Sequence, residues 1–444
     1  MTRLFNRPFA SSSLLRVCGF ILAFATLNLS LLTNAHAVPS FARQTGQDCA
    51  ACHVGAFGPQ LTPYGMRFKM EGYTDSNGKS WNLPLSGMVS ANWTHTSKDQ
   101  KPAPDNFKSN DNAVLQEVSL FLAGKLADNV GAFVQGTYSG IDHFSSLDQA
   151  DIRLAHSFDL GGKDVILGLS LNNNPTLTDP FNTMGAWRFP YTSAEIAPSP
   201  ANTTMLDDML GQQVIGLNAY TLWDKSWYAE VGGYRALPRS ALGSLNDLQD
   251  PADDVGRING IAPYWRLGYL NSTSKQAYSF GLFGMRADLK PDRSSGGPYD
   301  QYRDIGVDAS YQYLGNRKNI YSLNGSYTHE TRAMDFSGSG DGHLNRLDLN
   351  ASYFYDQTYG LSVGLFDTRG NNNAALWGTG NGKPDSSGYM LQADWTPFGK
   401  ESSWLAPWAN LRLGLQYTGY SKFDGSTQNA RDNNTTSLFL WTAF

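Results

Sequence analysis

The stretch DIGVDASYQY, Asp304–Tyr313, decides the fold. Ile305, Val307, Ala309, Tyr311 and Tyr313 fall on one face of an extended chain, and Asp304, Gly306, Asp308, Ser310 and Gln312 on the other. Alternation at period two is the mark of a strand. It recurs in RLDLNASYFY (Arg346–Tyr355), where Arg346 and Asp348 oppose Leu347 and Leu349. In NLRLGLQYTGY (Asn410–Tyr420), Arg412 and Gln416 oppose Leu411, Leu413 and Leu415. A soluble β-sandwich would bury the apolar face inward. Three features favour a membrane barrel instead. The segments run to ten residues or more, enough to cross a bilayer at a tilt. Their apolar faces end in Tyr, Trp and Phe, as an interfacial girdle does. The connections alternate short and long.

Counting such segments from about Leu85 predicts about sixteen strands, an all-β transmembrane antiparallel barrel over 85–444. The short links are ADN after Leu126, GGKD at 161–164, DKS at 224–226, NSTSK at 271–275, GNRK at 315–318, DQT at 356–358 and GKESS at 399–403. Between them lie long polar loops, the longest from about Asn173 to Gln212. An even strand number with both ends on the short-turn side predicts periplasmic N and C termini. The last segment, TTSLFLWTAF, puts Leu438, Leu440, Thr442 and Phe444 on one face and ends on an aromatic residue.

The other end of the chain is a leader. Arg3, Arg7 and Arg16 form a positive region, VCGFILAFATLNLSLL an apolar one, and Ala35-His36-Ala37 a small-residue cleavage site, so residues 1–37 read as a secretory signal. Cys18 lies in the apolar region without the small residues of a lipoprotein site. The formal charge is −5, and loss of the leader's three arginines leaves −8. Nothing here suits a nucleic-acid partner, which needs a basic face.

Of three cysteines, one leaves with the leader. The other two stand in GQDCAACHVG, Gly46–Gly55, as C-x-x-C-H: Cys49, Cys52 and His53. Two thiols make thioether bonds to one covalent haem c, and the adjacent imidazole binds its iron as proximal ligand. Zinc would want four ligands, and no second cysteine pair exists. Downstream, LTPYGMRFKMEGY reads as a short helix with Thr62 as N-cap, Pro63 in the first position and Gly72 as the stop. Met66 and Met70 share one face of it, as candidate distal iron ligands or as packing against the porphyrin or the barrel wall. By parity His95, His156 and His329 face lipid, while His143 and His343 sit in outer loops, so methionine or an open position is the expected distal side.

Residues 38–84 are too few to bury a haem alone. The barrel, wide enough at this strand number to accept a plug, is the expected partner, with the 173–212 loop packed around the segment. DLQDPADD (Asp247, Asp250, Asp253, Asp254) reads chiefly as a solvated loop. DFSGSGDGH lacks the closing Glu of a calcium loop. There is no Ser–His–Asp set, phosphate loop or metal-hydrolase motif, hence no expected hydrolase or transferase site.

The run VPSFARQTGQDCAACHVGAFGPQLTPYGMRFKMEGYT (Val38–Thr74) resembles the start of the fused monohaem cytochrome–porins of bacterial outer membranes, iron-oxidase-like proteins of Fe(II)-oxidising bacteria and relatives. NNNPTLTDPFNTMGAWRFPY (Asn172–Tyr191) is similar to the family's Asn-Pro-Thr/Trp/Phe-Pro loop. The resemblance implies one haem on Cys49, Cys52 and His53, an extracellular electron donor such as Fe(II), and a periplasmic cytochrome or other acceptor. Met66 and Met70 depart from the Arg and Leu expected there in relatives. The expected function is therefore an outer-membrane electron conduit, an electron-transfer oxidoreductase. The alternative is a diffusion porin with a haem-bearing plug or redox gate. Charged inward positions such as Asp151, Arg153, Asp304, Asp308, Arg346, Asp348 and Arg412 suit either.

Overall fold

The computed structural model of the chain describes residues 38–78, 83–246, 254–401, 403–405 and 408–444; the leader with Cys18 lies outside them. In chain order the strands are β1 Leu85–Thr96, β2 Asn112–Ala127, β3 Val130–Ser139, β4 Ser145–Leu160, β5 Lys163–Asn172, β6 Val214–Trp223, β7 Trp227–Ala236, β8 Arg257–Ile258 and β9 Ala262–Ser272. They continue with β10 Gln276–Lys290, β11 Asp300–Tyr313, β12 Asn319–Met334, β13 Gly342–Tyr355, β14 Tyr359–Gly370, β15 Ser386–Trp395, β16 Asn410–Lys422 and β17 Thr435–Ala443. The two-residue β8 pairs with the end of β10. The other sixteen form one closed antiparallel ring, because β1 pairs with both β2 and β17. The seam runs from Met88↔Ala443 to Thr96↔Thr435, and Gly87 and Phe444 exchange backbone hydrogen bonds of 2.7 and 2.9 Å. Closure leaves no strand edge unpaired, the condition for a sheet to stand in lipid.

Turn chemistry sets the hairpins. Gly161–Gly162, Asp224–Lys225 and Asp356–Gln357 each place two successive residues at positive φ, the backbone that matches the twist of tightly joined strands. Six short links fall where expected. The seventh is longer than GKESS: the chain between Trp395 and Asn410 spans 396–409 before the next strand starts.

The parity expectation holds on the outer face. Ile305, Val307, Tyr311 and Tyr313 are exposed, while Asp304, Asp308 and Gln312 are buried inside. At the short-turn rim Trp223, Trp227, Tyr278, Tyr313, Tyr321, Tyr355, Tyr359 and Trp395 point outward as an aromatic girdle. Trp227 meets Tyr269 edge-on at 4.7 Å.

The interior is packed, and partly apolar. Three short helices precede the barrel: α1 Pro39–Thr45, α2 Cys49–Cys52 and α3 Pro63–Met70. Pro39 starts α1 and Gly46, at φ 71°, stops it. Thr62 caps α3 as expected, its hydroxyl accepting from Gly65 N at 3.3 Å. This segment is seated in the short-turn half of the lumen. Gln312 donates to the Leu61 carbonyl (2.7 Å), Tyr220 to Met70 (2.9 Å), and Asn410 to Ala56 (2.8 Å). The 173–213 loop folds inward above it. Met184, Met205, Leu206 and Leu210 of that loop pack against inward-facing Tyr234, Tyr264, Phe283 and Met285.

Candidate cofactor site

Cys49–Cys52 is a single helical turn, so the i, i+3 spacing brings both thiols to one side. His53 follows, its N–H donating to the Cys49 carbonyl at 2.9 Å. The turn and its flanks are held by a barrel hairpin, a strand and the plug itself. Arg317 donates to Ala50 O (2.7 Å), Arg412 to Gly55 O (3.1 Å), and Thr62 N to Cys52 O (2.9 Å). Gly65 lets α3 approach this closely, since a side chain there would strike the Cys52 carbonyl. The two cysteines are not joined in a disulfide.

Burial sets the protonation of Cys52 and His53. It pushes the Cys52 thiol up to about 12, helped by Cys49 and Asp75. It pulls His53 down to about 4, with Arg412 acting the same way and the Gly58 carbonyl opposing. His53 is therefore a neutral imidazole at physiological pH, the form that binds metal. Its Nδ1 is buried without a hydrogen-bond partner. A buried polar atom left unpaired is costly and rare, and points to a group that completes it.

All three residues line one cavity with about 1430 Å³ of empty space, its mouth included. Phe41, Phe57, Phe68, Phe121, Phe133 and Trp187 wall it with rings, while Lys69, Gln135 and Glu117 add polar groups. Two thiols, a neutral imidazole and an aromatic chamber are the donor set and surroundings that a covalent haem requires. The site fits that group.

Met66 and Met70 turn the other way. Both are buried in a cluster with Leu61, Ala155, Ile166, Phe181, Tyr220 and Leu222, against the barrel wall, and neither lines the cavity. Of the two expectations for them, packing matches their surroundings. His95 and His156 lie on the outward face of β1 and β4, His329 on that of β12, and His143 in a loop. His343 is a correction: it is the second residue of β13, outward-facing, because pairing with Thr331 extends the ladder past the expected loop. Asp247, Asp250 and Asp253 lie outside the described residues, and Asp254 is held by Arg293. Among the described residues no three metal-ligating side chains cluster.

The sequence placed the 173–212 loop around the plug and Asp151 and Arg153 inward, but not the contacts that close the chamber from above. Lys69, buried on α3, donates to Asp179 O (2.6 Å) and Asn182 Oδ1 (2.7 Å) and lies 4.7 Å from the Trp187 ring centroid. Asn182 donates to Pro59 O (2.7 Å), and Tyr191 OH to Gln60 Oε1 (3.2 Å). Asp151 and Arg153, buried on β4, pair at 2.7 Å; Tyr73 OH bonds Asp151, and Arg153 reaches Lys69 O and Thr178 O. Plug and loop thus share one hydrogen-bonded seam. Within the loop, the Asn, Asp and Pro residues of 172–191 mark turns but not which side chains are buried.

No family model matches the chain, and no curated protein matches it. Solved structures do. The chain is similar to OprB of Pseudomonas putida at high pH, 12% identical over 87% of this chain and 99% of that one, with a TM-score of 0.48. OmpF of Salmonella typhi in complex with daunomycin is 10% identical over 81% and 97%, at 0.47. The anion-selective porin of Comamonas acidovorans is 15% identical over 81% and 98%, at 0.43. The likeness is one of barrel architecture. The chain is a closed sixteen-stranded antiparallel barrel with an apolar outer face.

Proposed function

We propose that the chain is an outer-membrane electron conduit built around one covalent haem c, with its short turns and both termini in the periplasm. One observation carries the reading: Cys49, Cys52 and His53 line a ring-walled chamber inside the barrel, and His53 Nδ1 is buried there without a partner. Haem, when bound, supplies one-electron chemistry at its iron. The chain's own residues hold, orient and insulate. Cys49 and Cys52 are the anchors, and His53, neutral through burial, is the iron ligand. The aromatic wall excludes water, while Lys69, Arg153 and Asn182 fix plug and loop around the chamber. Electron transfer between metal centres needs no general acid or base, which agrees with a site that has none arranged. The donor is an external one-electron reductant such as Fe(II), and the acceptor a periplasmic cytochrome; both come from the family resemblance.

A second reading is a diffusion porin whose plug bears the haem. Its support is the closed sixteen-stranded barrel, with a small hollow left between the inward loop and the wall at Arg188, Asn324, Asp348 and Asn350. The first test is haem content. Expressed with a haem-attachment system, the protein should carry one haem that survives denaturation, and Cys49→Ser or Cys52→Ser should abolish or halve its attachment while the barrel still folds. A folded wild-type barrel without covalent haem would overturn both readings.

A further inference from the structure

On the outward face, near the long-loop rim, four side chains stand at one height across adjacent strands. Register places Arg286 of β10 opposite Arg303 of β11, Arg303 opposite Thr331 of β12, and Thr331 opposite His343 of β13. All four are exposed. His329 lies just below, its ring 6.3 Å from that of His343 and its Nδ1 2.8 Å from Asn345 Oδ1. Like charges directly opposite on a sheet repel. Arg286 is offset in part by Asp288 (3.2 Å) and Gln301 (3.3 Å). The Arg303 side chain makes no hydrogen bond or ion pair among the described residues. Asp335 and Asp341 stand in the loop joining β12 to β13.

Height identifies what faces this strip. Arg303 is ten residues from Tyr313 of the short-turn girdle along β11. At about 3.3 Å per residue and a tilt of roughly 40°, that is about 25 Å along the membrane normal, the height of the apolar band of such barrels. Between the two levels the outer face is apolar and exposed, with Phe280, Ile305, Leu323 and Leu347. The arginines therefore stand where acyl chains give way to headgroups.

We propose that Arg286 and Arg303, with Thr331 and His343, bind the phosphate-bearing headgroup of an outer-membrane glycolipid whose acyl chains lie along Phe280, Ile305 and Leu323. A phosphate between the two guanidinium groups relieves their repulsion and accepts several charge-assisted hydrogen bonds. The strip lies outside the lumen, so the inference rests on the proposed outward placement of the long loops and not on the haem.

The test uses the full chain, delipidated in neutral detergent, with bisphosphorylated lipid A as probe and bound lipid counted by native mass spectrometry. Affinity should fall about fivefold for each arginine replaced, the factor for about 1 kcal/mol per basic residue at an anionic surface. Enzymatically dephosphorylated lipid A should bind the wild type as weakly as the phosphorylated lipid binds Arg286→Gln/Arg303→Gln. Arg303→Gln alone, which removes no internal contact, keeps the test decisive if the double variant folds poorly. Equal lipid binding by wild type and Arg303→Gln would overturn the proposal. So would displacement of the lipid by millimolar inorganic phosphate, which would assign the arginines to a free anion.

Discussion

His53 is held so that its imidazole stays neutral and its Nδ1 unpaired, while the nearby methionines are spent on packing. That contrast gives a sharp prediction about the distal ligand. Met66→Leu and Met70→Leu conserve volume in an apolar cluster, so each should cost less than about 1.5 kcal/mol. Neither should alter the absorption spectrum of the haem-loaded protein. Loss of a methionine–iron charge-transfer band in either variant would assign that methionine as the distal ligand. Lys69 carries a second prediction. Burial first, and Arg153 second, lower its pKa to about 7. The unfolded plug would take up this proton below the ordinary lysine value of about 10.4, and the folded plug only below about 7. Seating of the plug should therefore weaken as pH falls from 10 to 7 and level off below. Urea midpoints read from Trp187 emission would follow this, and Lys69→Met should flatten the curve. A wild-type midpoint constant from pH 7 to 10 would contradict it.

At the scale of elements, the 173–213 loop is the piece that makes a chamber out of a pore. Its anchor is Asp179, buried, whose carboxylate meets Arg266 at 2.9 Å and accepts from the backbone of Phe181, Thr183 and Met184. Further along, Met205 N and Leu206 N donate to Glu330 (2.6 Å) and Asp304 (2.9 Å). Asp179→Ala strips three backbone donors and one side of a buried ion pair, so it should destabilise the inward loop by about 3 kcal/mol or more. Single-channel recordings should then show conductance bursts that the wild type lacks. Unchanged recordings and unchanged protease resistance of the loop would show that the anchor is dispensable. This element also marks the limit of sequence reading. Strands such as Asp304–Tyr313 declare themselves because each residue's face is set by parity. A loop's path depends on partners far away in sequence, such as Arg266 for Asp179, and no local pattern carries that. The 396–409 link was misread for a related reason: its Gly and Ser residues signal a turn without fixing where pairing resumes.

At the scale of the molecule, the outside was legible and the inside was not. Alternation and the terminal aromatic residue point to a closed barrel, and C-x-x-C-H to the proposed cofactor. The convention of a polar lumen did not anticipate Tyr234, Tyr264, Phe283 and Met285 packed inside with the loop. A barrel filled in this way is built like a small globular core wrapped in a membrane-facing sheet, which suits insulation of a redox group better than passage of solute. The measurement that tests this most directly places the haem-loaded protein, oriented, in sealed liposomes with a cytochrome trapped inside. Fe(II) is then added outside without oxygen, and the haem band and the trapped cytochrome are followed together. Rapid reduction of the haem followed by reduction of the trapped cytochrome, with small solutes retained, is the expected result. A haem that stays oxidised while small solutes leak out would contradict it and leave a haem-bearing porin.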